Sequence, residues 1–277
     1  MSTAPIGKVG FIGLGSQGAP MARRIIDAGF RTTLWARRPA TLDPFAGTSA
    51  ALASAPAELG AASDLACVCV LDDAGVEEVV SGPQGLLEGM RPGSVIAVHS
   101  TVHPDTCASL AARAAERGVR LVDAPVSGGG PAAEQGTLLV LVGGDTATAE
   151  RCRPVFAAYG EPVHLGPVGA GQRAKLINNL LLAANLGVAE SAFALARDLG
   201  VDPEQLAVVL ARGSGSSFAT GMMGRSGFVL GPMGDKAGPL LRKDVRIAAE
   251  LAEATGAEAG SVFDAADAAL ASMGCAR

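Results

Sequence analysis

The sequence predicts an α/β domain built on a doubly wound parallel sheet over residues 1–167, followed by an all-α domain over residues 168–277. Three observations carry this. Short apolar runs of strand length recur through the first 163 residues, separated by Ala-rich segments with charges at helical spacing, which is the alternation of a parallel sheet covered by helices on both faces. The first of these runs ends in a glycine-rich turn. Beyond Gly171 no strand-like run stands out, and a long helical period takes over.

Taken in order, residues 8–12 (KVGFI) form the first strand, residues 19–29 a helix, and Arg31 to Trp35 the second strand. The runs 66–71, 94–98, 120–124 and 138–142 are further strands, and 104–117 typifies the helices between them. Residues 172–199 read as one helix of roughly 40 Å at 1.5 Å per residue. Further helices are expected at about 203–212, 238–255 and 259–273. Residues 213–238, rich in Gly, Ser and Met, have no clear period. The most apolar long stretch, Leu176 to Leu195, is interrupted by Asn178, Asn179, Asn185, Glu190 and Ser191, so it reads as a buried helix and not a membrane span.

Composition narrows the function. A hydrophobic share of 49% against 18% charged residues supports a sizeable core. A net charge of −5 and an aromatic share of 4% supply neither the basic surface nor the stacking platforms of a nucleic-acid binder, and no attraction to an anionic membrane. The five cysteines (67, 69, 107, 152, 275) are odd in number and share no zinc spacing with His99, His103 or His164, so no metal site is expected. They point to a reducing, cytoplasmic compartment. Met1 to Pro5 show no basic segment ahead of an apolar one, so no leader is expected.

Gly13-Leu14-Gly15-Ser16-Gln17-Gly18 follows the first strand and opens a helix. In that context GxGxxG is a dinucleotide-binding turn of the Rossmann type: Gly13 permits the tight turn, Gly15 lets a pyrophosphate approach, and Gly18 allows close helix–strand packing. The phosphates would sit where free N–H groups and the helix dipole favour an anion. Just after the second strand, Ala36 stands where NAD sites usually carry Asp or Glu, and Arg37 and Arg38 follow. A forked guanidinium suits a 2′-phosphate, so NADP(H) is the expected cofactor, with NAD(H) the alternative.

Four blocks in order, the glycine turn, Asp123-Ala124-Pro125-Val126-Ser127-Gly128-Gly129, Lys175-Leu176-Ile177-Asn178-Asn179 and Lys243-Asp244, resemble the β-hydroxyacid dehydrogenase family, from about Lys8 to about Ala254. The resemblance implies a Rossmann domain, a long interdomain helix, a helical domain and a homodimer or homotetramer. It implies that Lys175 is catalytic, that Asn179 orients the substrate, and that Ser127, Gly128 and Gly129 hold a substrate carboxylate. It places Lys243 near nicotinamide and substrate, and Leu71, Asp72 and Thr101 against the cofactor. The chain departs from the family pattern at Ala132, at His99 and in a missing phenylalanine before Lys243.

The residue types fit carbonyl reduction, or alcohol oxidation, by a nicotinamide with a protein group handling the proton. Lys175 lies four residues after Gly171, read here as the first turn of its helix, where burial and the helix dipole would both disfavour an ammonium. Asn179 at i+4 shares its face. A carboxylate-bearing small substrate follows from the Ser127–Gly130 segment and Lys243. Two alternatives stand beside this reading. Imine reductases share the architecture but usually place an acid or tyrosine at the Lys175 position, and a non-catalytic dinucleotide-binding module would have no need of Lys175, Asn179 and Ser127 together.

Overall fold

The computed structural model describes residues 4–258 and 260–277. The residues before Ala4, on which the leader expectation rests, and Ala259, where the last helix was expected to begin, lie outside it. The chain divides into two compact units, Met1–Lys175 and Leu176–Arg277.

The described residues of the first unit form nine strands: β1 Lys8–Ile12, β2 Arg31–Trp35, β3 Ala51–Leu52, β4 Leu65–Val68, β5 Val95–Val98, β6 Arg120–Asp123, β7 Val126–Ser127, β8 Leu138–Gly143 and β9 Gly160–Gly166. Their order is β3-β2-β1-β4-β5-β6-β8-β7, with β9 beside β8. The strands from β3 to β6 pair in parallel, whereas β8 runs antiparallel to β6 and β7. The chain starts in the middle and winds outward both ways, so the order reverses between β1 and β4, the position at which open sheets of this kind bind ligands.

Seven helices cover the sheet: α1 Gly18–Asp27, α2 Pro56–Ala61, α3 Asp73–Ser81, α4 Leu86–Gly89, α5 Pro104–Ala115, α6 Gly129–Gln135 and α7 Thr146–Phe156. Alternate residues of each strand face opposite sides, and this sorts the apolar residues into two cores. Val9, Phe11, Cys67 and Ala97 pack with Met21 and Ile25 of α1 and Cys152 and Phe156 of α7. Ile12, Ala66, Val68 and Ile96 pack with Leu59, Val76, Val80 and Leu110 of α2, α3 and α5. Every residue of β4 and β5 is buried, which explains why LACV and VIAV read as unbroken apolar runs. The expected doubly wound sheet is present; β3, β7 and β9 are additions that the sequence did not signal.

The lysine-bearing helix, α8, spans Ala170–Asp198 and passes from the first unit into the second. It begins at Ala170, so Lys175 is its sixth residue and sits in the second turn. Dipole effects fade beyond the first turn, and the help expected from the dipole at Lys175 is correspondingly small.

The second unit adds α9 Pro203–Leu210, α10 Phe218–Met223, α11 Gly234–Thr255 and α12 Gly260–Ser272. Leu180, Ala183, Leu186 and Phe193 of α8 share one core with Leu241 and Val245 of α11 and Ala266 and Leu270 of α12. The segment 213–238 resolves into α10, two 3-10 turns (Gly224–Ser226 and Gly231–Met233) and the start of α11. By length and composition α8 could cross a membrane, but half of its most apolar window is buried inside the protein. Its exposed apolar side chains Ile177, Leu181, Val188 and Leu195 all lie within about 40° around the helix axis at 3.6 residues per turn, and exposed Leu199 follows just past its end.

Candidate active site

The glycine turn closes the carboxyl end of β1 at the switch point. Gly13 adopts φ 95° and lies against the backbone of Cys69, whose carbonyl a Cβ would strike. A Cβ on Gly18 would collide with the Gly13 carbonyl and meet the Phe11 ring at 3.1 Å, so helix and strand approach as only glycine allows. At Gly15, by contrast, nothing lies within 4 Å of where a Cβ would stand. The turn is thus rigid at both ends and open in the middle, and Gly15 and Ser16 are exposed. That cradle fits a dinucleotide pyrophosphate. Leu14 is buried under the turn, and Gln17 is half-buried at the start of α1.

The other predicted cofactor residues lie along the same edge. Arg37 follows β2, and its guanidinium pairs with Glu78 of α3 at 2.6 Å, both side chains being largely exposed. Arg38 precedes a 3-10 turn, Pro39–Phe45. Leu71 is exposed, and Asp72 caps α3 by accepting the Gly75 N–H at 2.9 Å. Thr101 is half-buried in the turn after β5. Glu78 is the member of this group that sequence reasoning missed; a surface glutamate on a helix gave no signal.

Ser127 belongs to the short strand β7, and Gly128, at φ 127°, turns the chain directly into α6. The glycine-rich segment Ser127–Gly130 is therefore a strand-to-helix junction. It packs on the dinucleotide turn: a Cβ on Gly130 would lie 3.2 Å from the Ser16 carbonyl. Arg24 of α1 reinforces this by donating from Nε and Nη2 to the Glu134 carbonyl at 3.0 and 2.8 Å. The structure thus brings the predicted pyrophosphate turn and carboxylate segment together.

Lys175 is 9% exposed, which is rare for a lysine and excludes a solvated surface role. In the second unit Asp244, itself buried, links two predicted site residues: Asn179 Nδ2 donates to Oδ2 at 2.6 Å and Lys243 Nζ to Oδ1 at 2.7 Å. Asn178 Nδ2 donates to Asn179 Oδ1 at 3.1 Å. The Asn179 amide has two hydrogens, and Asp244 takes one of them. Asp244 was noted in the sequence only as the neighbour of Lys243; its bridge spans 65 residues and has no local signature.

His99, at the end of β5, is buried with Nδ1 at 2.7 Å from the Ala124 carbonyl and Nε2 at 3.2 Å from the Tyr159 hydroxyl. A carbonyl only accepts, so Nδ1 carries the proton and Nε2 accepts from Tyr159. Burial pulls its pKa down from 6.5 to about 4, against the Ala124 hydrogen bond. It is a neutral core residue. The five cysteines are free, and burial pushes the Cys69 and Cys152 thiols up to about 12.

A doubly wound sheet with an open glycine turn at its switch point defines a dinucleotide-binding domain. Residues 8–169 match the family model described as the NAD binding domain of 6-phosphogluconate dehydrogenase, and residues 169–274 the one described as NAD-binding of NADP-dependent 3-hydroxyisobutyrate dehydrogenase. The chain is 36% identical to 2-(hydroxymethyl)glutarate dehydrogenase of Eubacterium barkeri, over 76% of this chain and 71% of that one. It is 37% identical to an NAD-dependent L-serine dehydrogenase of Pseudomonas aeruginosa, over 90% and 86%. The solved structure of a Mycobacterium tuberculosis 3-hydroxyisobutyrate dehydrogenase with L-serine superposes with TM-score 0.81 at 29% identity, covering 95% of this chain and 92% of that one. The chain belongs to the β-hydroxyacid dehydrogenase family and is an NAD(P)-dependent enzyme of that family.

Proposed function

We propose that the enzyme uses NADP(H) in preference to NAD(H) to interconvert a small β-hydroxy acid and its semialdehyde, with Lys175 as general acid and base. The observation that carries this is a lysine buried to 9% exposure at the head of the KxxNN block. Burying an ammonium is costly, so a lysine kept in this place points to a use in the chemistry, and proton transfer to or from the substrate oxygen is what that chemistry requires.

Gly13, Leu14, Gly15, Ser16, Gln17 and Gly18 would hold the pyrophosphate, with Leu71, Asp72 and Thr101 lining the cofactor. Arg37, helped by Arg38, would bind the 2′-phosphate. The nicotinamide supplies the two-electron chemistry when bound. Ser127, Gly128 and Gly129 hold the substrate carboxylate, Asn179 orients the substrate, and Lys243 adds positive charge for cofactor or carboxylate. Lys175 gives its proton to the substrate oxygen in reduction and takes it back in oxidation. In this reading residues 1–167 are the dinucleotide domain and 168–277 the substrate and oligomerisation domain. The relatives named for L-serine and 2-(hydroxymethyl)glutarate act on carboxylates bearing a hydroxymethyl group, and the same class is proposed here. The exposed apolar stripe of α8 supports a homodimer, and free cysteines support a cytoplasmic setting.

Fluorescence titration with NADPH and NADH, followed by a screen of L-serine, 3-hydroxyisobutyrate and related 3-hydroxy acids, tests the reading. Tighter NADPH binding and turnover of a member of this class are expected. Equal binding of the two cofactors removes the NADP assignment, and turnover confined to substrates without a carboxylate removes the substrate class.

A further inference from the structure

The start of α8 is held by two side chains that have no role in the reading above. Asp123 ends β6 fully buried, and both carboxylate oxygens are engaged: the Gly169 N–H donates to Oδ1 at 2.6 Å and the Gln172 N–H to Oδ2 at 2.7 Å. Amides at the start of a helix have no partner inside it, so a distant carboxylate caps the lysine-bearing helix. The backbone is shaped around that carboxylate. A Cβ on Gly143 would run into Oδ1, and one on Gly171 into Oδ2 and the Leu141 carbonyl.

Gln172, also fully buried, extends the tie. Its Nε2 donates to the Ser100 carbonyl at 2.8 Å, and its Oε1 accepts the Val102 N–H at 3.1 Å. Three segments therefore meet through two side chains: the end of β6 leading to Ser127, the turn after β5 containing Thr101, and the first turn of α8 leading to Lys175. Among the described residues, Arg173 and the Cys107 thiol interact electrostatically with the carboxylate. Burial raises the Asp123 pKa above its ordinary value, and the two amides and Arg173 oppose that rise.

We propose that Asp123 and Gln172 are positioning residues, a two-part clamp that sets the height and rotation of α8 on the sheet and thereby places Lys175 relative to the Thr101 and Ser127 segments. Lys175 follows Gln172 by three residues on continuous helix, so any slip of the clamp is passed to it undamped. The proposal rests on the reading of Lys175 as the proton-handling group.

The test uses full-length Asp123→Asn and Gln172→Met, both close in shape to the wild-type side chains, with Lys175→Ala alongside. NADPH affinity is read by fluorescence titration, turnover with L-serine or 3-hydroxyisobutyrate and NADP+, and hydrogen exchange by mass spectrometry over residues 166–176. A misplacement of about 1 Å costs on the order of 100-fold in rate. The clamp variants should therefore lose roughly 10- to 100-fold in kcat while the NADPH Kd and the NADP+ KM stay within about threefold, with faster exchange confined to residues 166–176. Wild-type kcat in folded clamp variants, unchanged exchange there, or a parallel loss of NADPH affinity overturns the proposal. If Asp123→Asn does not fold, Gln172→Met decides. Unfolding of both also overturns it, because the pair would then serve folding and not placement. Turnover retained by Lys175→Ala removes the lysine reading instead, a result independent of the exchange pattern.

Discussion

Arg37 holds Glu78 at 2.6 Å on an open surface. An exposed pair of this kind contributes little to stability, and the guanidinium retains donors beyond those one carboxylate oxygen can accept. Glu78 therefore competes with a 2′-phosphate without excluding it. Two substitutions separate the roles. Arg37→Ala should lower the NADPH-over-NADH preference by about tenfold, one charge-assisted hydrogen bond's share, as measured by paired titrations. Glu78→Gln should raise NADPH affinity a few-fold and leave NADH unchanged; an unchanged NADPH Kd would place the phosphate elsewhere. Ser127→Ala should raise the substrate KM several-fold with a smaller effect on kcat if its hydroxyl binds the carboxylate, a loss of about 1 kcal/mol. At this scale the sequence revealed residues that sit in blocks: the glycine turn follows β1, and Lys175 and Asn179 both lie on α8, although Lys175 falls in its second turn and not its first. It did not reveal Glu78, Gln172 or Asp244, because their partners lie 41, 72 and 65 residues away and no local pattern records such pairs.

Elements were legible where burial imposed a period. The wholly buried β4 and β5 appeared as continuous apolar runs, and the long apolar stretch of α8 appeared as one helix. The short β3 and β7 have only two residues each, and β9 (GEPVHLG) is only half-buried, so neither alternation nor an apolar run marks them. The start of α6 carries Gly129, Gly130 and Pro131, residues that ordinarily argue for a loop. The packing of β1, α7 and the residue just before β9 around His99 carries its own prediction. His99 is neutral when folded, and its neighbours Tyr159, Phe11 and Phe156 offer no countercharge. Its folded pKa of about 4 lies below the ordinary 6.5, so its contribution is present above pH 6.5 and is lost as pH falls towards 4. Between pH 7 and pH 5 the loss should be about 2 kcal/mol. Urea unfolding of wild type and His99→Gln at both pH values checks this: the variant should be less stable at pH 7 but lose less on acidification. An equal loss in both proteins would assign the acid sensitivity to other groups.

For the molecule as a whole, α8 is the shared part. It carries Lys175 near its start, forms part of the second unit's core along one side, and exposes Ile177, Leu181, Val188 and Leu195 along another. An apolar stripe of this length on a charged protein fits burial against a second copy. Leu195→Glu should shift the sedimentation coefficient from dimer to monomer with little loss of secondary structure; a wild type that sediments as a monomer would contradict the assignment. The proposed chemistry needs a bound dinucleotide and a lysine that moves the proton, and one comparison separates the two. NADPH binding and turnover of 3-hydroxyisobutyrate or L-serine are measured for wild type and Lys175→Ala under the same conditions. An unchanged NADPH Kd and a loss of kcat on the order of 100-fold or more are expected in the variant. Turnover near the wild-type rate in the variant would contradict it.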